Sequence, residues 1–175
     1  RQIYASGWSN GCAMAQRLAM ESSHIFAAVG CMSFYLLMTP VNTYSPIPIM
    51  EVHGFLDQVV LYESSVLSVP TNPESWTDPE AVQTGAIENL YEWAELNSCT
   101  GLTPDFNDQQ PLYSIQGFSN CENNSQVRLM TIFGAQHNPY AKDYPGEGLG
   151  MLLLGTQGLV QSSYVVWDFL TQFSK

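Results

Sequence analysis

Two glycines bracket a serine in Gly7-Trp8-Ser9-Asn10-Gly11, and the sequence around them switches from strand-forming to helix-forming. Arg1 to Ser6 carries the β-favouring pair Ile3 and Tyr4, while Gly11 to Met20 is rich in Ala, Met, Gln, Arg and Leu. A chain that passes from strand to helix this abruptly takes strained backbone angles at the turning residue. The positions two before and two after it crowd the turn unless they lack side chains. The spacing therefore predicts a sharp turn that lifts Ser9 to the rim of a sheet, ahead of a helix. Free N–H groups at that helix N-terminus favour negative charge, and the Asn10 amide is the expected donor to an oxyanion there.

The remaining elements bear on what kind of sheet this is. Ile25 to Met32 and Pro46 to Gly54 are short apolar runs, the pattern of strands buried on both faces. Thr77-Asp78-Pro79-Glu80 offers an N-cap, an early proline and an early acid for a helix running to Leu96. Ala86, Leu90, Trp93 and Leu96 form its apolar stripe. Val127 to Phe133 alternates and is rich in β-formers, and Gln161 to Phe173 reads as a closing amphipathic helix with Val165, Val166, Phe169 and Leu170. Trp93 and Trp167, on helix faces, are expected in the core. Thr100 to Ser125 shows no clear element. Buried strands alternating with helices predict an α/β layered sheet, and 175 residues with 45% hydrophobic content fit one domain.

Charge excludes some partners. The formal net charge is −11, from 16 acidic against 5 basic residues. Nucleic acid is not an expected partner, because phosphate binding needs a Lys/Arg field, and an anionic membrane surface is disfavoured for the same reason. No apolar run approaches the roughly 20 residues of a membrane span. Four cysteines, at 12, 31, 99 and 121, form neither a CxxC nor a Cys/His cluster at zinc-ligand spacing, so no metal or organic cofactor is implied. Cys99 and Cys121 flank a polar, Pro/Asn/Asp-containing stretch where a bridge closes a loop. Cys12 and Cys31 lie in apolar surroundings and read as buried thiols, with a bridge between them the open alternative. With the sequon Asn123-Asn124-Ser125, a disulfide points to a secreted or extracytoplasmic setting.

A serine becomes a nucleophile only beside a base, and the base needs a group to orient it. The chain has three histidines. His24 lies in a polar helix end and reads as a surface residue. His53, at the end of a buried strand just before Gly54, reads as a structural hydrogen-bonder. His137 follows a strand in Phe133-Gly134-Ala135-Gln136-His137-Asn138-Pro139 and falls where sites form in open α/β sheets, outside the carboxyl ends of the strands. Asp57 lies between Ser9 and His137 in chain order, in the loop after a strand, and is the candidate acid. Asp78, Asp105 and Asp108 read as solvated carboxylates. Trp8, beside the serine, and Trp76, in a loop, are candidates to line an aromatic substrate pocket.

In chain order these segments resemble the secreted esterase family that includes feruloyl esterases, acetylxylan esterases and polyhydroxybutyrate depolymerases. The resemblance lies in Gly7 to Gly11 with Ala15-Gln16-Arg17-Leu18-Ala19, and in His53-Gly54 with Asp57 and Val59-Val60. It continues in Trp93 to Cys99, Gly134 to His137, and Val166-Trp167-Asp168-Phe169-Leu170. It implies an α/β-hydrolase-type, mostly parallel sheet with flanking helices, a Ser9, Asp57, His137 triad, and Cys121 as the partner of Cys99. Ala135 and Gln136 stand where the family tends to have glycines. In the family several strands precede the nucleophile strand, so residues 1–175 are expected to be the C-terminal portion of a single α/β-hydrolase domain. An N-terminal segment or partner chain would then supply the rest of the sheet and a second oxyanion donor. The expected activity is hydrolysis of a carboxylic ester, feruloyl, acetyl or polyhydroxyalkanoate-type, free or polymeric, through an acyl-enzyme on Ser9. Two alternatives stand beside it: a catalytically inactive hydrolase-like binding or assembly subunit, and a prolyl-oligopeptidase-like serine peptidase.

Overall fold

The fold is described from a computed structural model that covers residues 1–36, 40–63, 85–138, 140 and 160–175. Strand β1 (Tyr4–Ala5) leads into helix α1 (Asn10–Glu21), followed by β2 (Ala28–Met32) and β3 (Ile49–Gly54). Helix α2 (Ala86–Leu96) precedes β4 (Phe106–Gln109) and β5 (Tyr113–Phe118), a short 3-10 turn at Glu122–Asn124, β6 (Val127–Ile132) and helix α3 (Ser162–Leu170). The six strands form one sheet in the order β1-β2-β3-β6-β5-β4. Pairing is parallel from β1 to β6 and antiparallel from β6 through β5 to β4. The architecture is a mixed α/β sheet flanked by helices.

Alternation along the parallel strands divides the core in two. Val29, Cys31, Ile49, Val127 and Leu129 point to the face covered by α1 and α2, where they meet Cys12, Ala15, Ala19, Leu90 and Trp93. Ala28, Met50, Val52, Met130 and Ile132 point to the other face and meet Val166, Phe169 and Leu170 of α3. Both faces are covered, so all six residues of β3 and all six of β6 are buried. The alternation read along Val127 to Phe133 does not give β6 a solvent face, because it lies centrally between β3 and β5. Gly30 lets α3 approach closely, since a Cβ there would lie 2.7 Å from Val166 Cγ1.

Several expectations need correction. The stretch from Thr100 to Ser125 contains the hairpin β4–β5, which extends the sheet by backbone pairing, with Asn107 opposite Gln116 and Asp108 opposite Ile115. Strand β4 is a mostly exposed edge and β5, inside it, is only partly buried, so neither shows the continuous apolar run of a fully buried strand. Arg128 of β6 binds it in place: the guanidinium donates to the Phe118 carbonyl at 2.7 Å and lies 4.3 Å from the centroid of the Phe106 ring. Trp93 is fully buried, but Trp167 is 56% exposed, because the inward face of α3 is taken by Val166, Phe169 and Leu170. Cys12 and Cys31 form a disulfide rather than a pair of thiols, as do Cys99 and Cys121. Asp78 and Trp76 lie outside the described residues, as does the expected N-cap of the α2 helix; the described part of α2 begins at Ala86. Among the described residues no helix is long and apolar enough to cross a membrane.

The Cys99–Cys121 bridge spans a sequence separation of 22 residues and joins the end of α2 to the segment before β6. Replacing both cysteines with serine is expected to lower the unfolding free energy by about 3 kcal/mol, from the loop entropy returned to the unfolded chain. Urea unfolding followed by tryptophan fluorescence measures this.

Candidate functional site

Ser9 stands between Trp8, which bridges in parallel fashion to Met32, and the first residue of α1. Its φ of 54° and ψ of −126° are rare for a residue with a side chain. Met32 holds the turn on both sides, donating to the Gly7 carbonyl and accepting from the Ser9 amide, each at 2.9 Å. The Ser9 carbonyl accepts from the amides of Cys12 and Ala13, the first hydrogen bonds of α1. A Cβ on Gly7 would lie 2.3 Å from the backbone carbon and oxygen of Gly11, whereas a Cβ on Gly11 would meet nothing within 4 Å. The expectation that both glycines relieve crowding is therefore corrected: Gly7 is sterically required, and Gly11 is not. The Asn10 amide opens the helix, where N–H groups have no intrahelical acceptor and the positive end of the helix dipole lies.

Neighbouring parallel strands β3 and β6 supply the other two side chains from their carboxyl ends. Asp57 lies in the loop after β3, and His137 follows a turn after β6 made at Gly134, whose φ is 78°. The two loops are tied together: Phe55 N donates to the Ile132 carbonyl at 3.0 Å and Leu56 N to the Ala135 carbonyl at 2.9 Å. Gly54 permits this, since a Cβ there would lie 2.5 Å from the Ala135 oxygen. The buried Tyr140 hydroxyl accepts from Gly54 N at 2.7 Å and bonds Ser33 Oγ, which joins the end of β3 to the chain leaving β2. Burial, and then the nearby Asp57 carboxylate, push the Tyr140 phenol far above its ordinary range, so it stays neutral.

Ser9, His137 and Asp57 lie in one line of hydrogen bonds. His137 Nε2 is 2.9 Å from Ser9 Oγ, and His137 Nδ1 is 2.8 Å from Asp57 Oδ2. The other Asp57 oxygen accepts from the amides of Val59 at 2.9 Å and Val60 at 2.8 Å. A carboxylate held as acceptor assigns the hydrogen of His137 to Nδ1, leaving Nε2 a lone pair directed at Ser9. Asp57 and His137 are both buried. Trp8 packs beside the histidine, with ring centroids 5.3 Å apart and planes at 37°, and its indole N–H is buried without a hydrogen-bond partner among the described residues. Phe55, Leu56 and Val59 form an exposed apolar rim along the acid loop.

His24 is exposed at the end of α1. His53 is buried and bonded to Glu51 and Val60, and it approaches the same Asp57 oxygen that His137 binds. Glu51 was not singled out from sequence, although a carboxylate inside an apolar strand run was the signal available. Among the described residues no group of three or more His, Cys, Asp or Glu is placed to hold a metal ion.

No family model matches the chain. Among curated proteins it is similar to feruloyl esterase B of Piromyces equi, with 28% identity over 180 residues that cover 99% of this chain. The likeness is to an esterase and runs the length of the chain. The chain spans 28% of the length of that relative.

The two glycines of the turn separate cleanly by mutation. Gly7→Ala is expected to destabilise the fold by about 3 kcal/mol through overpacking against Gly11. Gly11→Ala, inside the first turn of α1, is expected to be neutral or to stabilise it by up to about 1 kcal/mol. Paired urea titrations measure both, and equal losses would contradict the asymmetry.

Proposed function

We propose that this chain carries the catalytic site of a serine carboxylesterase of the α/β-hydrolase class, with Ser9 as nucleophile, His137 as general base and Asp57 as the orienting acid. The observation that carries the reading is the continuous line from Ser9 Oγ through both nitrogens of His137 to Asp57 Oδ2, at 2.9 and 2.8 Å. The parallel strands with all three residues beyond their carboxyl ends, and the likeness to an esterase, support it. An unbroken line of this kind weighs against the inactive-subunit alternative, and the name of the relative weighs for esters over peptides.

The chemistry runs in two halves. His137 Nε2 takes the Ser9 proton as Oγ attacks the ester carbonyl, and the Asn10 N–H donates to the oxyanion that forms. The imidazolium then returns its proton to the alcohol oxygen, the alcohol leaves, and the acyl group remains on Ser9. Water delivers its proton to His137, attacks the acyl-enzyme, and the acid departs as Ser9 recovers its hydrogen. Asp57 keeps the Nδ1–H tautomer in place and offsets the charge that forms on the ring. Trp8 beside His137 and the rim of Phe55, Leu56 and Val59 are the apolar surfaces that meet the substrate. Of the ester classes considered, an aromatic acyl ester such as a feruloyl ester suits these surfaces best, whether free or attached to a polymer. Two disulfides support an extracytoplasmic setting for the protein.

A fluorophosphonate probe tests the nucleophile. Labelling is expected on Ser9 and is expected to vanish in Ser9→Ala; an unlabelled wild-type protein refutes the proposal. Asp57→Asn is expected to keep the fold and to lower kcat on methyl ferulate by about 10⁴, because the amide favours the wrong tautomer of His137.

A further inference from the structure

Strand β3 carries two ionisable side chains into the sheet interior. Its alternation sends Ile49, Glu51 and His53 to the α1/α2 face, and Glu51 and His53 are 2% and 0% exposed. His53 Nδ1 lies 2.5 Å from Glu51 Oε1, and Nε2 lies 2.8 Å from the Val60 carbonyl oxygen. The second Glu51 oxygen accepts from Asn89 Nδ2 of α2 at 3.1 Å, and Asn89 Oδ1 accepts from Leu36 N at 3.0 Å. Tyr35 stacks on the His53 ring at 5.4 Å with planes 9° apart, and Tyr62 meets it edge-on at 5.8 Å. The imidazole has no freedom to turn.

This is a costly arrangement if its only task is packing. Apolar residues of similar volume usually serve a core as well as or better than a buried ion pair. Here the pair sits directly behind the acid of the site, with His53 Nε2 3.6 Å from Asp57 Oδ2. A carbonyl oxygen only accepts, so Nε2 must carry a hydrogen to bond Val60. The contact between Nδ1 and Glu51 then holds one shared proton, whichever atom it sits closer to. Burial raises the Glu51 carboxyl above its usual range; for His53 burial opposes the charged form, but Glu51, Asp57 and the Val60 carbonyl outweigh it and raise the imidazole. Both directions keep that proton between them.

We propose that Glu51 and His53 are positioning residues for the Ser9 site. Glu51 fixes the His53 ring with hydrogen on Nε2, and that hydrogen pins Val60. The Val60 amide, with that of Val59, then holds Asp57 turned toward His137. The inference rests on the esterase reading of Ser9. A single line of contacts runs from Glu51 through His53, Val60, Asp57 and His137 to Ser9, and its first three members never meet substrate.

The test compares wild type, His53→Gln, Glu51→Leu and Glu51→Gln in the native polypeptide. Fluorophosphonate titration counts competent sites, and kcat is expressed per titrated site. His53→Gln and Glu51→Leu are expected to lower kcat per site roughly ten- to a hundredfold with KM within about twofold. Glu51→Gln can donate to Nδ1 and keep the hydrogen on Nε2, so its kcat is expected to stay within about threefold of wild type. A purely structural role predicts fewer titratable sites with unchanged kcat per site, which overturns the proposal. Long-range ¹H–¹⁵N correlation of the wild-type histidines needs no variant to fold: hydrogen on His53 Nε2 is expected, and a ring protonated at Nδ1 alone overturns it. Failure of the wild type to label removes the esterase reading instead, and the spectrum still reports whether His53 pins Val60.

Discussion

Met32 is the residue against which the rest of the site is built. Its amide and carbonyl take up Gly7 and Ser9 on either side of Trp8, and these two hydrogen bonds hold Ser9 in a backbone region that a serine ordinarily avoids. The support comes from parallel pairing of β1 with β2, carried a few residues past the end of β1. The rim geometry is thus an extension of the sheet, which explains how so short a β1 positions so specific a turn.

The parallel pairing of β3 and β6 does the corresponding work for the other two side chains. His53 and Thr131 lie opposite each other, as do Gly54 and Ile132, so both strands end at one level. Their following loops are cross-linked by backbone hydrogen bonds before either reaches Asp57 or His137. Asp57 has both oxygens fully engaged, and the histidine ring is braced between a carboxylate and the Trp8 indole. For the proposed reaction this leaves little to reorganise, the condition under which fixed dipoles act most strongly.

Much of this was legible in sequence where local chemistry admits one solution. A strand, a serine between spaced glycines and a helix leave few other geometries, and three histidines make a short search. The α/β alternation was equally plain, because the buried parallel strands read as predominantly apolar runs between helices. The β4–β5 hairpin was not, since Asn107, Asp108 and Gln109 are weak strand formers that join the sheet through backbone alone. Cys12 and Cys31 escaped for a different reason: an apolar neighbourhood suits a thiol and a bridge equally well, and only the approach of α1 to β2 decides. Gly11 was over-read, because motif spacing cannot say which glycine faces backbone and which faces open space. Trp167 was misplaced by a single helical step of about 100°.

The Cys12–Cys31 bridge acquires a meaning beyond holding a helix to a strand. Cys12 lies three residues after Ser9, and Cys31 immediately precedes Met32. The bridge therefore closes a covalent ring from Cys12 to Cys31, with the serine turn just before one end and its support just after the other. The serine turn and the strand that holds it are thus joined twice over, by two backbone hydrogen bonds and by one covalent bond close behind them.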